Sequence, residues 1–331
     1  LSGGKAETFQ PDIALTKTTD LEISQKLRSG ENLKMGSEQM IRRMTKPAPT
    51  VLWLVLTLMA AVAVSAQDRW RASAQEEKSF RPDGTPRVLT STFDGSIRIE
   101  SWSKSEILCR AEKRGRSQSD IDRIKIVSSQ NGDEIRFEAK LTSRVNWNLH
   151  ARADLTIYVP RQASLTARTG DGHIEARGVT GDIELHTGDG SITASNLSGN
   201  LIVQTGDGSV ELSDLSGRLQ AQTGDGKMSV RGRFTELDAR TGDGLMDITI
   251  EPESQMNAAW SLKTGDGSII LSLPKDFSAE LDAHTNDGAI STELPVMISG
   301  KLGNTLRGRL NQGGRTLTVR TGDGSITLRR N

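Results

Sequence analysis

His186-Thr187-Gly188-Asp189-Gly190-Ser191-Ile192-Thr193-Ala194 is the stretch on which the fold turns, because its central four residues recur. Thr-Gly-Asp-Gly begins at Thr169, Thr187, Thr205, Thr223, Thr241, Thr264 and Thr321, and a variant, Thr285-Asn286-Asp287-Gly288, stands before the last. The first five copies keep a constant step of 18 in the numbering, and the next two steps are 23 and 21. The interval from Thr264 to Thr321 contains the variant, and the final gap of 36 reads as two repeats with one turn degenerate. A fixed period of roughly 20 residues marks stacked structural repeats.

Alternation around each copy says what the repeat contains. Five and seven residues after each threonine the side chains are apolar, as in Ile174/Ala176, Ile192/Ala194, Val210/Leu212, Met228/Val230, Met246/Ile248, Ile269/Leu271 and Ile326/Leu328. Four and two residues before it they are apolar again, as in Leu165/Ala167, Ile183/Leu185, Leu201/Val203, Leu219/Ala221, Leu237/Ala239, Trp260/Leu262, Leu281/Ala283 and Leu317/Val319. Polar residues such as Glu184, Thr193, Glu211, Gln220 and Asp238 lie between. Period two on both sides means two short half-buried strands per repeat. The fold class is therefore all-β: a parallel β-solenoid of about 18-residue, two-strand coils, with an irregular β-rich N-terminal part. No strand is expected to pair with its sequence neighbour. Gly181, Gly199 and Gly217, each equally far past a motif threonine, mark the second turn.

The motif itself reads as a turn. Glycine takes positive φ freely and aspartate tolerates it. The threonine shares parity with the inward residues, which points its hydroxyl at turn backbone groups. The structural-turn set is Thr169, Asp171, Gly172, Thr187, Asp189, Gly190, Thr205, Asp207, Gly208, Thr223, Asp225 and Gly226. Stacking sets the aspartates in a column of like charge, which needs compensation. The residue before each threonine (Arg168, His186, Gln204, Gln222, Arg240, Lys263, His284, Arg320) is never acidic, and predicts a paired basic and acidic ladder.

The 331 residues carry 42 basic and 42 acidic side chains, so the net charge gives no electrostatic case for nucleic acid or an anionic membrane surface. Residues 1–39 read as an upstream or disordered segment. Residues 40–66 read as a signal peptide: Met40, then Arg42, Arg43 and Lys46, an apolar run from Val51 to Val64, and Val64-Ser65-Ala66, with cleavage after Ala66. The run is shorter than the roughly 20 residues of a spanning helix, so a membrane is met only through this segment, if uncleaved. Residues 67–87 are a linker, 88–160 an irregular β layer capping the solenoid, and 161–331 the repeats. Within the layer, residues 106–114, 122–129, 134–141 and 149–159 read as strands, with Asn131-Gly132-Asp133 as a hairpin turn. Arg329, Arg330 and Asn331 read as charge that blunts the final strand. Cys109, the single cysteine, alternates with Ile107 and Ala111 as a buried strand position.

No residues assemble into a catalytic set. The four histidines are dispersed, and the Gly-Asp-Gly triplets lack the long phosphate-cradling loop and its lysine. Two alternatives stay open. A calcium-organised β-roll would place ions on Asp171, Asp189, Asp207, Asp225, Asp243 and Asp266, although only one turn per coil carries the acid. A polysaccharide-processing β-helix would need a carboxylate pair, for which Glu175 and Glu184 are the candidates if they share a groove.

From Val88 to Asn331 the chain resembles the bacterial putative-adhesin domain family. The resemblance rests on Phe93-Asp94-Gly95-Ser96-Ile97-Arg98-Ile99-Glu100-Ser101-Trp102, the strand end Ile157-Tyr158-Val159-Pro160 and the repeated Thr-Gly-Asp-Gly-Ser-Ile turns. It implies an exported, non-enzymatic protein of periplasm, cell surface or medium, without a cofactor. Its partner would be an envelope or surface ligand, protein or glycan.

Overall fold

The computed structural model describes residues 71–142, 150–298 and 303–331. The upstream segment 1–39 and the signal peptide 40–66 lie outside the described residues. The fold is all-β, with a single short helix among the described residues.

Strands leading into the motif form one ladder, and strands trailing out of it form a second. The leading strands of the regular part are β8 (Ser164–Thr169), β10 (Thr180–Thr187) and β12 (Ser198–Gln204). The trailing ones are β9 (Ile174–Arg177) and β11 (Ile192–Ser195). Two longer strands, β13 (Val210–Gln222) and β14 (Met228–Thr241), run through the second turn and belong to both ladders. Pairing between these coils is parallel, with Leu165, Ile183, Leu201, Leu219 and Leu237 as successive register partners. Ile174, Ile192, Val210, Met228 and Met246 are the equivalents across the motif. All of these are buried, because period-two alternation sends them between the ladders while Glu184, Thr193 and Gln220 face out.

At the second turn, Gly178, Asn196 and Asp214 occupy the left-handed region at φ 76°, 55° and 52°. Asparagine and aspartate are the non-glycine residues that tolerate it best. Val179, Leu197 and Leu215 follow and close the corner, all buried.

Beyond this regular middle, stacking order departs from chain order. The next coils are β15 (Met246–Ile250), β16 (Trp260–Thr264), β17 (Ile269–Leu273), β18 (Ala279–Thr285) and β19 (Ile290–Thr292). The last strands are β20 (Val296–Ile298), β21 (Thr305–Leu310), β22 (Thr316–Thr321) and β23 (Ile326–Arg330). The final coil is not at the end. β22 pairs with β16 on one side and β18 on the other, and β23 lies between β17 and β19. The expectation that Arg329, Arg330 and Asn331 blunt a terminal strand is therefore corrected: the final strand is interior. Among its described residues, the gap between the motifs of Thr285 and Thr321 does not hold a degenerate repeat either. It forms β20 and β21, an antiparallel pair in which β21 covers β18.

The N-terminal part contains the same inversion. β2 (Arg87–Thr92) and β3 (Ile97–Trp102) stack directly on β8 and β9. The coil that follows them in sequence, β6 (Glu134–Leu141) with β7 (Ala151–Pro160), lies on their far side. β4 (Ile107–Gly115) joins β7, and β5 (Ile124–Asn131) joins β6 as the expected hairpin, both antiparallel. Sequence neighbours therefore do pair at both ends. The expected linker 67–87 is also corrected, because Ala72–Phe80 is a strand, β1, antiparallel to β4. Its side chains are mostly polar and alternate only between half-buried and exposed, so no apolar face marks it in the sequence. The helix α1 (Gln118–Asp122) carries a capping box from Ser117 and Asp120.

Candidate functional site

The motif edge is the most regular surface in the molecule. Each motif threonine is buried, and its hydroxyl donates across to the turn of the neighbouring coil. Thr187 Oγ1 donates to the carbonyls of Gly170 (3.0 Å) and Gly172 (2.9 Å), and Thr205 to those of Gly188 (3.1 Å) and Gly190 (2.7 Å). Thr223, Thr241 and Thr264 continue the series onto Gly206/Gly208, Gly224/Gly226 and Gly242/Gly244. The ladder then follows space and not sequence. Thr321 donates to Gly265 and Gly267, and Thr285 to Gly322 and Gly324. At the other end Thr169 donates to Gly95 and Thr92 to Ala153.

The motif glycines serve closeness and not positive φ, which corrects the turn argument made from sequence. They are absent from the positive-φ residues, which instead include Gly181, Gly199 and Gly217. A Cβ on Gly208 would meet the carbonyl of Gly190, and one on Gly188 would stand 2.9 Å from Oδ1 of Asp171. Asp171, Asp189, Asp207, Asp225, Asp243 and Asp266 thus each fold into the space left by the first glycine of the next coil. Asp266 does so against Gly322, across the break in chain order, where an added Cβ would stand 2.7 Å from its Oδ1.

The paired ladder of motif acids and preceding bases is not formed. None of the ion pairs among the described residues involves Asp171, Asp189, Asp207, Asp225, Asp243 or Asp266. The bases pair with acids on the outward face of the leading strands. Arg240 binds Asp238 at 2.8 Å, Arg320 binds Asp282 at 2.8 Å, and Arg168 and His186 each lie 3.8 Å from Glu184. These groups share a strand face, whereas the aspartate lies around the turn. The Asp238 hydrogen bond also raises the Arg240 pKa above its ordinary value. Among the described residues no group of three His, Cys, Asp or Glu side chains is placed to hold a metal ion.

Glu175 and Glu184 do not share a groove. Glu175 is on β9 in the trailing ladder, buried and bound by Arg98 (3.0 Å) and Arg177, whereas Glu184 is on β10 in the leading ladder. His173 Nδ1 is 2.9 Å from Ser191 Oγ, and His284 contacts Thr305 and Asn286. Cys109 is buried in β4 and its thiol is pushed up to about 12 by burial, so little thiolate exists near neutral pH.

Two features were not read from the sequence. On the outward face near the N-terminal end, Trp102 and Tyr158 stack at 5.2 Å. Lys104 sits 4.6 Å from the Trp102 ring and Arg110 5.6 Å from that of Tyr158, so each ring of the pair has a cation over it. Glu77 holds Arg110 at 2.8 Å and raises its pKa, chiefly through that hydrogen bond. The stack ties β4 onto β7 and β3. The second feature is a cleft of about 680 Å³, walled by Glu253, Gln255, Asp276 and Arg315 over Met256 and Phe277. It opens where the step between motifs lengthens, from Thr241 to Thr264, and that lengthening was its only signal in the sequence.

A family model, Toastrack DUF4097, matches residues 88–329. The chain belongs to the Toastrack DUF4097 family. Solved structures similar to this chain include a protein described as a putative cell adhesion protein from Clostridium sporogenes, 14% identical, with 78% of this chain and 100% of that one covered and a TM-score of 0.29. A putative adhesin from Bacteroides fragilis is 13% identical, with coverage of 78% and 97% and a TM-score of 0.40. A putative lipid binding protein from Parabacteroides distasonis is 10% identical, with coverage of 77% and 96% and a TM-score of 0.44. Among curated proteins, none matches. No helix of the described residues is long and apolar enough to cross a membrane.

Proposed function

We propose that this Toastrack chain is an exported, non-enzymatic, adhesin-like protein whose coils stack as a parallel β-solenoid and present a repetitive surface for binding or envelope structure. The observation that carries this reading is where the motif spends its polar groups. Its hydroxyls, glycines and aspartates are engaged in contacts between coils. The outward rows of Ser, Thr and paired charges are left as the surface available to a partner. Extended surfaces built this way are what repeat architectures use for recognition. In this reading the motif is a stacking device and not a ligand motif. The partner is an envelope or surface ligand, protein or glycan, and the location is periplasm, cell surface or medium, reached by cleavage after Ala66.

The test is capture of the exported chain on a glycan array and on envelope fractions, followed by a reducing-sugar assay on any glycan retained. Binding without product release supports the proposal. Release of reducing ends would overturn it in favour of a polysaccharide-processing enzyme.

A further inference from the structure

We infer that the two ends of the leading ladder are complementary, and that copies of this chain join end to end, β20 of one against β5 of the next. Of the large apolar side chains in the described residues, two are exposed: Val127 at 45% and Met297 at 69%. They are on β5 and β20, the two terminal strands of the same ladder among the described residues. Terminal strands present unpaired N–H and C=O groups, and natural edges are guarded by charge, by proline, by bulges or by being short. β1, the N-terminal edge of the other ladder among the described residues, carries Glu76, Glu77 and Lys78, whereas β5 carries the single charge of Lys125 and β20 has none over its three residues.

Strand direction makes a second copy the natural occupant. β6, β2 and β8 run the same way as β18, since all parallel pairings link them, and β5 is antiparallel to β6. At the far end β21 reverses and β20 reverses again, so β20 runs with β18. A second copy stacked in the same sense therefore offers an antiparallel β5 to β20, the better-paired geometry. Face parity agrees as well. Val127 is opposite Glu138, and Met297 opposite Arg309, both outward positions, so continuing the ladder puts Met297 and Val127 on one outward face.

The ends are also stepped in opposite senses. Beyond β6 and β7 the trailing ladder has two strands (β4, β1) to one in the leading ladder (β5). Beyond β18 and β19 the leading ladder has two (β21, β20) and the trailing ladder none among the described residues. A contact between two different surfaces joins copies head to tail and generates open chains unless the rotation closes a ring.

The experiment is sedimentation equilibrium of the full chain, wild type and with Val127→Lys or Met297→Lys, alone and as an equimolar mixture. Wild type is expected to gain mass with concentration beyond that of a dimer. Each variant alone stays monomeric, and the mixture forms a one-to-one dimer that grows no further, because each variant retains the end the other has lost. A wild-type mass that stays monomeric, or stops at a dimer, overturns the inference, as does a mixture no heavier than its components. Circular dichroism checks that the variants fold. Should a lysine variant fail that check, Val127→Thr and Met297→Thr must show the same complementation more weakly.

Discussion

Two regions of this molecule use the same device under different chain connections. Between Leu165 and Ile250 each coil stacks on the one before it in sequence. At the C-terminal end the coil of Thr321 is inserted between those of Thr264 and Thr285, and at the N-terminal end the coil of Thr92 lies between those that follow it. The threonine-to-carbonyl bonds of the middle recur at Thr321 and Thr285, whereas at the N-terminal end Thr92 donates to Ala153 and to Asp94 of its own turn. The motif therefore specifies a slot against a neighbouring coil, and chain order merely happens to supply that neighbour in the middle.

Removing residues 316–331 separates the two regions most severely. If the final coil were terminal, its loss would fray one edge. Because it is interior, β18, β19, β20 and β21 lose their support, and limited proteolysis should show everything after about Trp260 becoming sensitive while the middle still melts cooperatively. Next in size is Gly208→Val in the middle and Gly324→Val in the inverted part. Both force a side chain against a carbonyl of the adjacent coil, and each should cost about 3 kcal/mol or more by urea denaturation. Thr205→Val and Thr321→Val remove a buried donor to two carbonyls each, and should cost about 1–2 kcal/mol apiece. Equal costs mean that one slot serves both regions, and a negligible cost at Thr321 would set them apart.

Cys109 provides a pH test confined to the N-terminal end. Its folded pKa is raised from 9.0 to about 12, so the unfolded chain loses the thiol proton first as pH rises. The contribution is complete below pH 9 and is lost progressively above it, by about 1 kcal/mol between pH 9 and pH 10. Cys109→Ala should flatten the alkaline decline in stability by that amount relative to wild type. The smallest effect is expected of Asp207→Asn, within about 0.5 kcal/mol, because Asp207 has no ion pair among the described residues. The same measurement with millimolar calcium should leave the melting temperature unmoved, and a rise abolished by Asp207→Asn would restore the calcium β-roll.

Much of the fold was legible because period-two alternation and a fixed repeat interval are both local signals. Leu165, Ile183 and Leu201 could be placed inward by counting. The order of the outer coils was not legible in that way, since pairing at a distance leaves no periodicity. One trace of it exists. The coil at the C-terminal end of the stack is the one whose motif reads Thr285-Asn286-Asp287-Gly288, with asparagine where its neighbours have glycine. The charge pairing is misleading in sequence because Arg240 and Arg320 stand beside the motif but share a face with Asp238 and Asp282 in space. The aromatic stack was hidden because Trp102 and Tyr158 come from strands distant in the chain.

Engineered disulfides address the order of the coils most directly. In the structure Ser261 is the register partner of Thr318, and Thr318 separates it from Asp282. Adjacent strands are about 4.8 Å apart and alternate ones about 9.6 Å, beyond disulfide reach. The pair Ser261→Cys with Thr318→Cys should therefore oxidise in the native protein, and Ser261→Cys with Asp282→Cys should not. Efficient bridging of the second pair, with none of the first, would mean that the coils stack in chain order and would contradict this account.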